Sequence, residues 1–518
     1  MAELTYDLNA TAMEMAQTIF GSGVTVNSAT YTGDSRSSAI YSDADTISPG
    51  VAPSDSGVIL STGYADSFTR NSGDVNSSTS TSTNTTGPSD SDFNAMAGTT
   101  TYDASILDVN FTPVGDTMTL TFVFASEEYP EYINSSFNDF FGIWVNGAPA
   151  TVNVGDGSAS VSNVNGGAND SLYIDNTGDT YNTEMDGFTV TMSVTFPVNA
   201  GVPNTLKIGV ADVADSSYDS NVLIAADSAQ TALIANDDDL QLKAGKIKEF
   251  DLTQNDTNTA AGTITITKIN GIDVVPGDTV TLSTGQSITL NPDGTVDINS
   301  GPDIEQTAFT YTIENSVGDS SVGVVDLNVA CFVAGTLIDT PDGPRPVESL
   351  RPGELVMTQD AGAQKLVWSG STTVPAQDNF APIRICKGMF GASRDLLLSP
   401  QHRVLMRDPM AELLFDSSEV LIAAKNLVNG TTITRCEGGM VTYVHILFEC
   451  HHIIFSEGIA TESFLPGPMT MGGLEGALQA EILTLFPELC PLTGDGYGPP
   501  ARPLLRSFET SLLQGRAA

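Results

Sequence analysis

The chain has 518 residues with 63 acidic against 20 basic side chains, a formal net charge of −43, and only 16% charged residues, so its acidity reflects scarce Lys and Arg. This length implies about three or four domains at roughly 100–200 residues each, and the scarcity of cations excludes duplex nucleic acid, whose phosphates need clustered basic side chains. A 40% hydrophobic fraction with 22 Phe and 13 Tyr excludes acidic disorder, and no run reaches the ~18 consecutive apolar residues of a membrane span.

The composition changes abruptly at position 331. All five Cys (Cys331, Cys386, Cys436, Cys450, Cys490) and all four His (His402, His445, His451, His452) lie there or beyond. Residues 1–330 hold 7 of the basic side chains and 43 of the acidic ones. A thiol-free, strongly acidic half therefore precedes one that holds every Cys and His.

Residues 1–21 lack a basic n-region, and the first cation is Arg36, so no ordinary secretory signal peptide is expected. Yet the Ser, Thr, Asn, Asp and Gly-rich composition of the leading half resembles that of bacterial surface proteins. Together these features point to an extracellular or cell-surface location reached by signal-independent export.

A short helix is predicted near 10–20, with Asn9 or Thr11 as N-cap. Short strands follow at Val24-Thr-Val, Gly57-Val-Ile-Leu, Thr117–Phe124, Phe188–Phe196 and Leu206–Val210, separated by Gly, Asn and Asp, a pattern that predicts a β-sandwich-like domain. Ser77–Thr86 is an unbroken run of Ser, Thr and Asn; it supplies no core side chain and is expected to be a mobile loop.

Several motifs stand out in residues 1–234: Ser56-Gly-Val-Ile-Leu-Ser-Thr-Gly63, the stretch from Phe122-Val-Phe-Ala-Ser-Glu-Glu-Tyr-Pro-Glu-Tyr132 to Trp144, Asp186-Gly-Phe-Thr189 and Ala211-Asp-Val-Ala-Asp-Ser-Ser-Tyr-Asp-Ser220. In this order they resemble the bacterial choice-of-anchor L domain over about residues 15–225. The resemblance implies a surface module with no enzymatic activity of its own, and a cell-surface carbohydrate or protein is the ligand class to expect. Glu127, Glu128, Asp139 and Asp186 are candidate Ca²⁺ ligands, since that ion takes six to eight oxygens. Hydrogen bonding to turns is the competing reading, because EF-hand spacing is lacking.

Residues 235–330 read as a small antiparallel sandwich, with strands at Thr263–Ile269, Thr307–Ile313 and Ser321–Val329 and an Asp-Gly turn at Asp293-Gly294. This segment is similar to the cadherin-like or immunoglobulin-like modules of bacterial adhesins, which implies a spacer. Asp237, Asp238, Asp239 and Asp256 are either Ca²⁺ ligands at a junction or a solvated acidic linker.

In residues 331–466 the string from Cys331-Phe-Val-Ala-Gly-Thr-Leu-Ile through Pro341-Asp-Gly343 to Pro352-Gly353 predicts strand, turn, strand and a second reversal. Together with Leu396-Leu-Leu-Ser-Pro-Gln-His402 and Tyr443-Val-His-Ile-Leu-Phe-Glu-Cys-His-His452 to Ser463, it resembles three ordered blocks of the all-β Hint (hedgehog/intein) fold. In those families the leading Cys attacks the peptide bond that precedes it.

The implied chemistry is an N-to-S acyl shift at Ala330–Cys331, which turns that amide into a thioester. A thiol titrating near ~8.5 needs a positioned base. His402 is the candidate general acid for the departing nitrogen, Ser399 orients it or donates to the oxyanion, and His452 is a second proton-transfer group. Water, a thiol, an amine or an alcohol then accepts residues 1–330. This is single-turnover autoproteolysis that requires no cofactor. Splicing needs a terminal His-Asn pair, and Glu462 and Ser463 stand there instead; His445 occupies a position where many relatives carry Asp. The alternative is a non-enzymatic adhesin or Ca²⁺-dependent binding protein with an inactive, structural Hint domain.

Cys386 and Cys490 read as small apolar residues. A zinc site from Cys436, Cys450, His451 and His452 is disfavoured because strand alternation turns His451 away from Cys450 and His452. Residues 467–518 form a tail with a candidate helix at Ala477–Phe486.

Overall fold

A computed structural model describes residues 2–71, 75–78, 80–133, 135–152, 154, 158–166, 169–240, 247–260, 262–299, 307–327, 332–376, 381–415, 417–464, 500–505 and 510. The expected helix at 477–486 and both residues of the expected scissile bond, Ala330 and Cys331, lie outside that set. The protein is mainly β, with 43% of residues in strands and 9% in helices.

Two compact units are present. One comprises residues up to 238 with 251–297 and 307–325; the other takes the short pieces 239–240, 247–250 and 298–299 and everything described after 326.

The first unit opens with the helix Ala12–Ile19. Thr11 is its N-cap: the Glu14 N–H donates to Thr11 Oγ1 at 3.2 Å and the Thr11 N–H donates back to Glu14 Oε2 at 2.8 Å. This reciprocal pair satisfies two donors that a helix start leaves open. Met15, Ala16 and Ile19 bury the inner face of the helix against the core.

Two antiparallel sheets follow. In one, Gly57–Ser61, Ser220–Ala225 and Thr117–Ser126 lie side by side; in the other, Val24–Thr32, Thr101–Pro113, Asn204–Val213 and Phe140–Val145 do. Phe111, Leu120, Phe122, Phe124, Ile208 and Val222 fill the space between them, as inward-facing residues of stacked sheets do. Every strand named from the sequence in this region is present, the Phe188–Phe196 run being split into Gly187–Thr189 and Met192–Pro197.

The described residues of the Ser/Thr/Asn run form no regular structure, but they are fastened rather than loose. Backbone N–H groups along the run donate to buried carboxylates: Ser77 to Glu184 Oε2 at 3.1 Å, Thr81 to Glu127 Oε1 at 2.6 Å, Thr83 to Asp219 Oδ1 at 2.6 Å, and Thr85 to Asp103 Oδ2 at 3.2 Å. The expectation of a mobile loop counted side chains and overlooked backbone donors.

In the middle segment, Ile264–Ile269 pairs antiparallel with Ala308–Asn315, and Thr279–Thr281 with Ser287–Leu290. It shares core with the first sandwich, because Ala308 and Val324 belong to the same buried cluster. Thr307 Oγ1 donates to Ser171 Oγ at 2.7 Å, Asn270 Nδ2 to Ser171 O at 2.8 Å, and Ser193 Oγ to Val322 O.

The second unit is built from two further antiparallel sheets. The first runs, in spatial order, Trp368–Pro375, Met440–Leu447, Phe332–Val333, Leu396–Leu398, Ile383–Ile385, Ile433–Arg435. The second contains Leu337–Ile338, Ile453–Ser456, Ile459–Glu462, Arg403–Arg407 and Glu419–Ala423. Ile453–Ser456 and Ile459–Glu462 form a hairpin whose two turn residues, Glu457 and Gly458, have φ of 51° and 85°. Such a left-handed pair matches the twist of the strands it joins.

Candidate active site

The four-residue turn Ser399–His402 carries the chain from one sheet of the second unit to the other, between Leu396–Leu398 and Arg403–Arg407. The His402 N–H donates to Ser399 O at 3.1 Å, Ala424 N–H to His402 O at 2.9 Å and Lys425 N–H to Pro400 O at 2.8 Å. Three backbone bonds thus fix the turn, and with it the imidazole.

Phe332, the residue after the expected nucleophile, pairs with Leu398 on one side and Val444 on the other. Both pairings are antiparallel, so Ser399 and His445, next along their chains, lie at the amino end of the Phe332 strand. The His402 ring rests on the Phe332 ring, with centroids 4.2 Å apart. Ser399, His402 and His445 are all buried. Neither ring nitrogen of His402 makes a well-formed hydrogen bond to a described residue, though the Glu462 backbone lies close enough to favour the protonated ring.

Burial is the chief reason the His402 imidazole is pushed down to about 4; the neighbouring Arg403 and His451 add to this and Glu462 opposes it. The ring is therefore neutral at pH 7. It can take a proton first and deliver it afterwards, and because burial weakens it as a base, the protonated ring it forms needs a nearby counter-charge.

Glu462 is the counter-charge. Val404 pairs with Thr461, which puts Arg403 beside Glu462; the Arg403 N–H donates to Glu462 Oε1 at 2.9 Å and its guanidinium lies 3.6 Å from the same oxygen. Burial would raise the Glu462 carboxyl, but Arg403 and His451 outweigh it and hold the group at about 2. The His451 Nε2 lies 3.5 Å from Glu462 Oε2 and 3.1 Å from Ser463 O.

His452 sits beside this group on its more open side. Its backbone exchanges hydrogen bonds with Ser463, N–H to Oγ at 3.0 Å and O from the Ser463 N–H at 2.9 Å. Its Nε2 lies 3.4 Å from Cys450 Sγ, so Cys450 and His452 do share a side. Burial first, then the neighbouring His451, lowers its proton affinity, with Asp360 opposing. The histidine whose Nε2 faces the Glu462 carboxylate is His451, which the sequence reading had turned away from Cys450 and His452. Arg403, His451 and Glu462 were all missed as site residues. The available signal was that two consecutive polar residues, Thr461 and Glu462, end a largely buried strand and a third, Ser463, follows it.

Hydrogen bonds from the protein itself occupy most of the acidic candidates of the first unit. Asp139 accepts from the Val213 N–H and the Ser220 hydroxyl, both at 2.8 Å; Asp186 accepts from Asn76 Nδ2 at 3.1 Å; Glu127 holds Thr81. Asp256 accepts from the Asn236 N–H at 2.7 Å and the Tyr311 hydroxyl at 2.9 Å, and Asp237 from the Val324 N–H at 2.9 Å. The Asp239 side chain lies outside the described set. Among the described residues no three His, Cys, Asp or Glu side chains gather in a group able to hold a metal ion, and no helix is long and apolar enough to cross a membrane.

Residues 5–230 match the family model of the choice-of-anchor L domain and residues 330–468 that of the Hint domain, so the chain carries both. Solved structures similar to it include the gp41-1 intein, 14% identical over 26% of this chain and 98% of the intein with a TM-score of 0.19. They also include the MchDnaB-1 intein, 11% identical over 26% and 99% with a TM-score of 0.19. No curated protein sequence matches the chain.

Proposed function

We propose that the protein breaks its own Ala330–Cys331 peptide bond. The observation that carries this reading is the His402 ring, buried and neutral, resting on the residue that follows the expected nucleophile.

In this mechanism Cys331 Sγ gives its proton to the neutral His402 ring and attacks the Ala330 carbonyl carbon. The C–N bond breaks and a C–S thioester forms. The imidazolium returns the proton to the departing Cys331 nitrogen, which leaves as a free amine. Ser399 donates to the carbonyl oxygen as it gains charge. Water, a thiol, an amine or an alcohol then takes the acyl group and carries off residues 1–330. The polar trio at Thr461–Ser463 lacks the terminal His-Asn pair, so the reaction ends with one bond broken. The choice-of-anchor L domain in the released portion supports a surface-associated or secreted role.

Intact-mass analysis of the wild type beside Cys331→Ala tests this. Two fragments meeting at Ala330–Cys331 in the wild type and an uncut mutant are expected; equal cutting of both, or of neither, refutes it.

A further inference from the structure

Residues 500–505 lie beyond the segment matched by the Hint model, yet they are built into the same unit. Leu421 N–H donates to Pro503 O and Leu505 N–H to Leu421 O, both at 2.9 Å, forming a parallel bridge between Leu421 and Leu504. Leu505 is buried in the main core of the unit, and Leu504 packs on Leu405, Leu421 and Ile453. The Arg502 guanidinium reaches Glu419 Oε2 at 2.7 Å and Asp360 Oδ1 at 2.8 Å.

Beside these anchors, the Ala501 N–H donates to His451 Nδ1 at 2.9 Å. A ring nitrogen that accepts from a backbone N–H carries no proton, so in the neutral ring the proton is on Nε2. That nitrogen is the one facing Ser463 O and Glu462 Oε2.

We infer that the 500–505 segment is a built-in clamp for autoprocessing: by holding His451 in its Nε2–H form, Ala501 positions the Glu462 carboxylate as counter-charge to His402. The inference rests on the self-processing reading. Its logic is electrostatic. Once His402 takes the thiol proton it is a buried cation, and a buried cation without a nearby anion is strongly disfavoured. Ala501 and His451 are thus positioning residues, since neither touches the reacting atoms.

The test uses the full chain. Ala501→Pro removes the one N–H donor. Two readouts are taken: the cleavage rate by intact mass, and the His451 tautomer from its ring ¹⁵N shifts in a Cys331→Ala background, where no cleavage intervenes. The expected result is loss of the single Nε2–H tautomer together with cleavage slowed by about 10-fold to 100-fold, the scale of a misplaced catalytic support. His451→Gln keeps a donor where Nε2–H was, and its carbonyl oxygen then points away from the Nδ1 position that accepts from Ala501. It is expected to cleave faster than His451→Ala, and in its background Ala501→Pro has no further effect.

A changed tautomer with an unchanged rate, or equal slowing in the His451→Gln background, overturns the clamp. If Ala501→Pro fails to fold, Arg502→Gln loosens the same segment from Glu419 and Asp360 and is read in the same two ways. If the wild type does not cleave, the self-processing reading fails by itself. The clamp as a device for autoprocessing is then overturned with it, and the tautomer measurement reports only whether Ala501 sets the His451 ring.

Discussion

Phe332 and His402 stack with ring centroids 4.2 Å apart and planes inclined at 57°. The residue that follows the proposed nucleophile thereby lies against the ring of the proposed proton carrier. Phe332→Leu keeps most of the apolar volume and removes the flat ring, so it should slow cleavage while costing little stability. Phe332→Ala also opens a cavity in a core and should cost about 3–5 kcal/mol. Denaturant melts alongside mass-spectrometric time courses separate the two effects, and a Leu variant that cleaves at the wild-type rate would show that the ring contact plays no part in catalysis.

The acid side of the rate profile follows from the same burial. His402 is pushed down to about 4, so its basic form persists as pH falls from 8 and is lost only near 4. Cleavage should therefore hold its rate through pH 6, where an imidazole of ordinary affinity would already be more than half protonated. The linkage sign is set by the same shift. The unfolded chain binds this proton near 6.5 and the folded one near 4, so stability is lost as pH falls between those values. Glu462, depressed to about 2, extends the loss below its ordinary range near 4.5. Thermal melts of Cys331→Ala followed by signals of the Hint domain should show a falling midpoint from pH 7 to 4, and His402→Asn should remove the upper part of that slope.

How far the sequence could be read depended on whether a residue's neighbours were close along the chain. His402 and Ser399 were legible because the turn that holds them is local and its block is contiguous. The pairing of Glu462 with Arg403 was not, since it arises when Ile459–Glu462 is laid beside Arg403–Arg407 by a register visible only in the fold. The role of His451 was hidden twice: alternation along an assumed strand turned it away, and its partner Ala501 comes from 50 residues further on. In the leading half the strands were legible from their apolar runs. The fastening of Ser77–Thr86 was not, because composition records side chains while the bonds come from backbone N–H groups common to every residue except proline.

Buried carboxylates of the choice-of-anchor L domain should give it the opposite response to pH. Burial is the leading cause that raises Glu127 to about 8, Glu128 to about 9, Asp139 to about 7, and Asp186 and Asp219 to about 6. Here the folded state binds more protons than the unfolded one, so stability falls as pH rises from about 4 toward 9. In EDTA the melting midpoint of this domain should be higher at pH 5 than at pH 8. Calcium competes with protons for the same oxygens, and a slope that flattens in millimolar Ca²⁺ would support cation binding by the acidic residues. A midpoint that rises from pH 5 to pH 8 in EDTA contradicts the prediction.

Glu127 and Asp219 hold the Ser77–Thr86 strap in chemically different ways. With Glu127 raised to about 8, its carboxyl is largely neutral at pH 7, and Glu127→Gln keeps a carbonyl oxygen for the Thr81 N–H; it should be almost silent. Asp219, raised only to about 6, is mostly ionised at pH 7 and accepts the Thr83 N–H at 2.6 Å. Asp219→Ala leaves that donor without its partner, a loss of about 1–3 kcal/mol, and should release the strap. The run contains no Lys or Arg, so a protease of broad specificity is the suitable probe. Cutting within Ser77–Thr86 should be faster in Asp219→Ala than in the wild type, and Glu127→Gln should match the wild type. Equal rates in all three would mean that these carboxylates do not hold the segment in place.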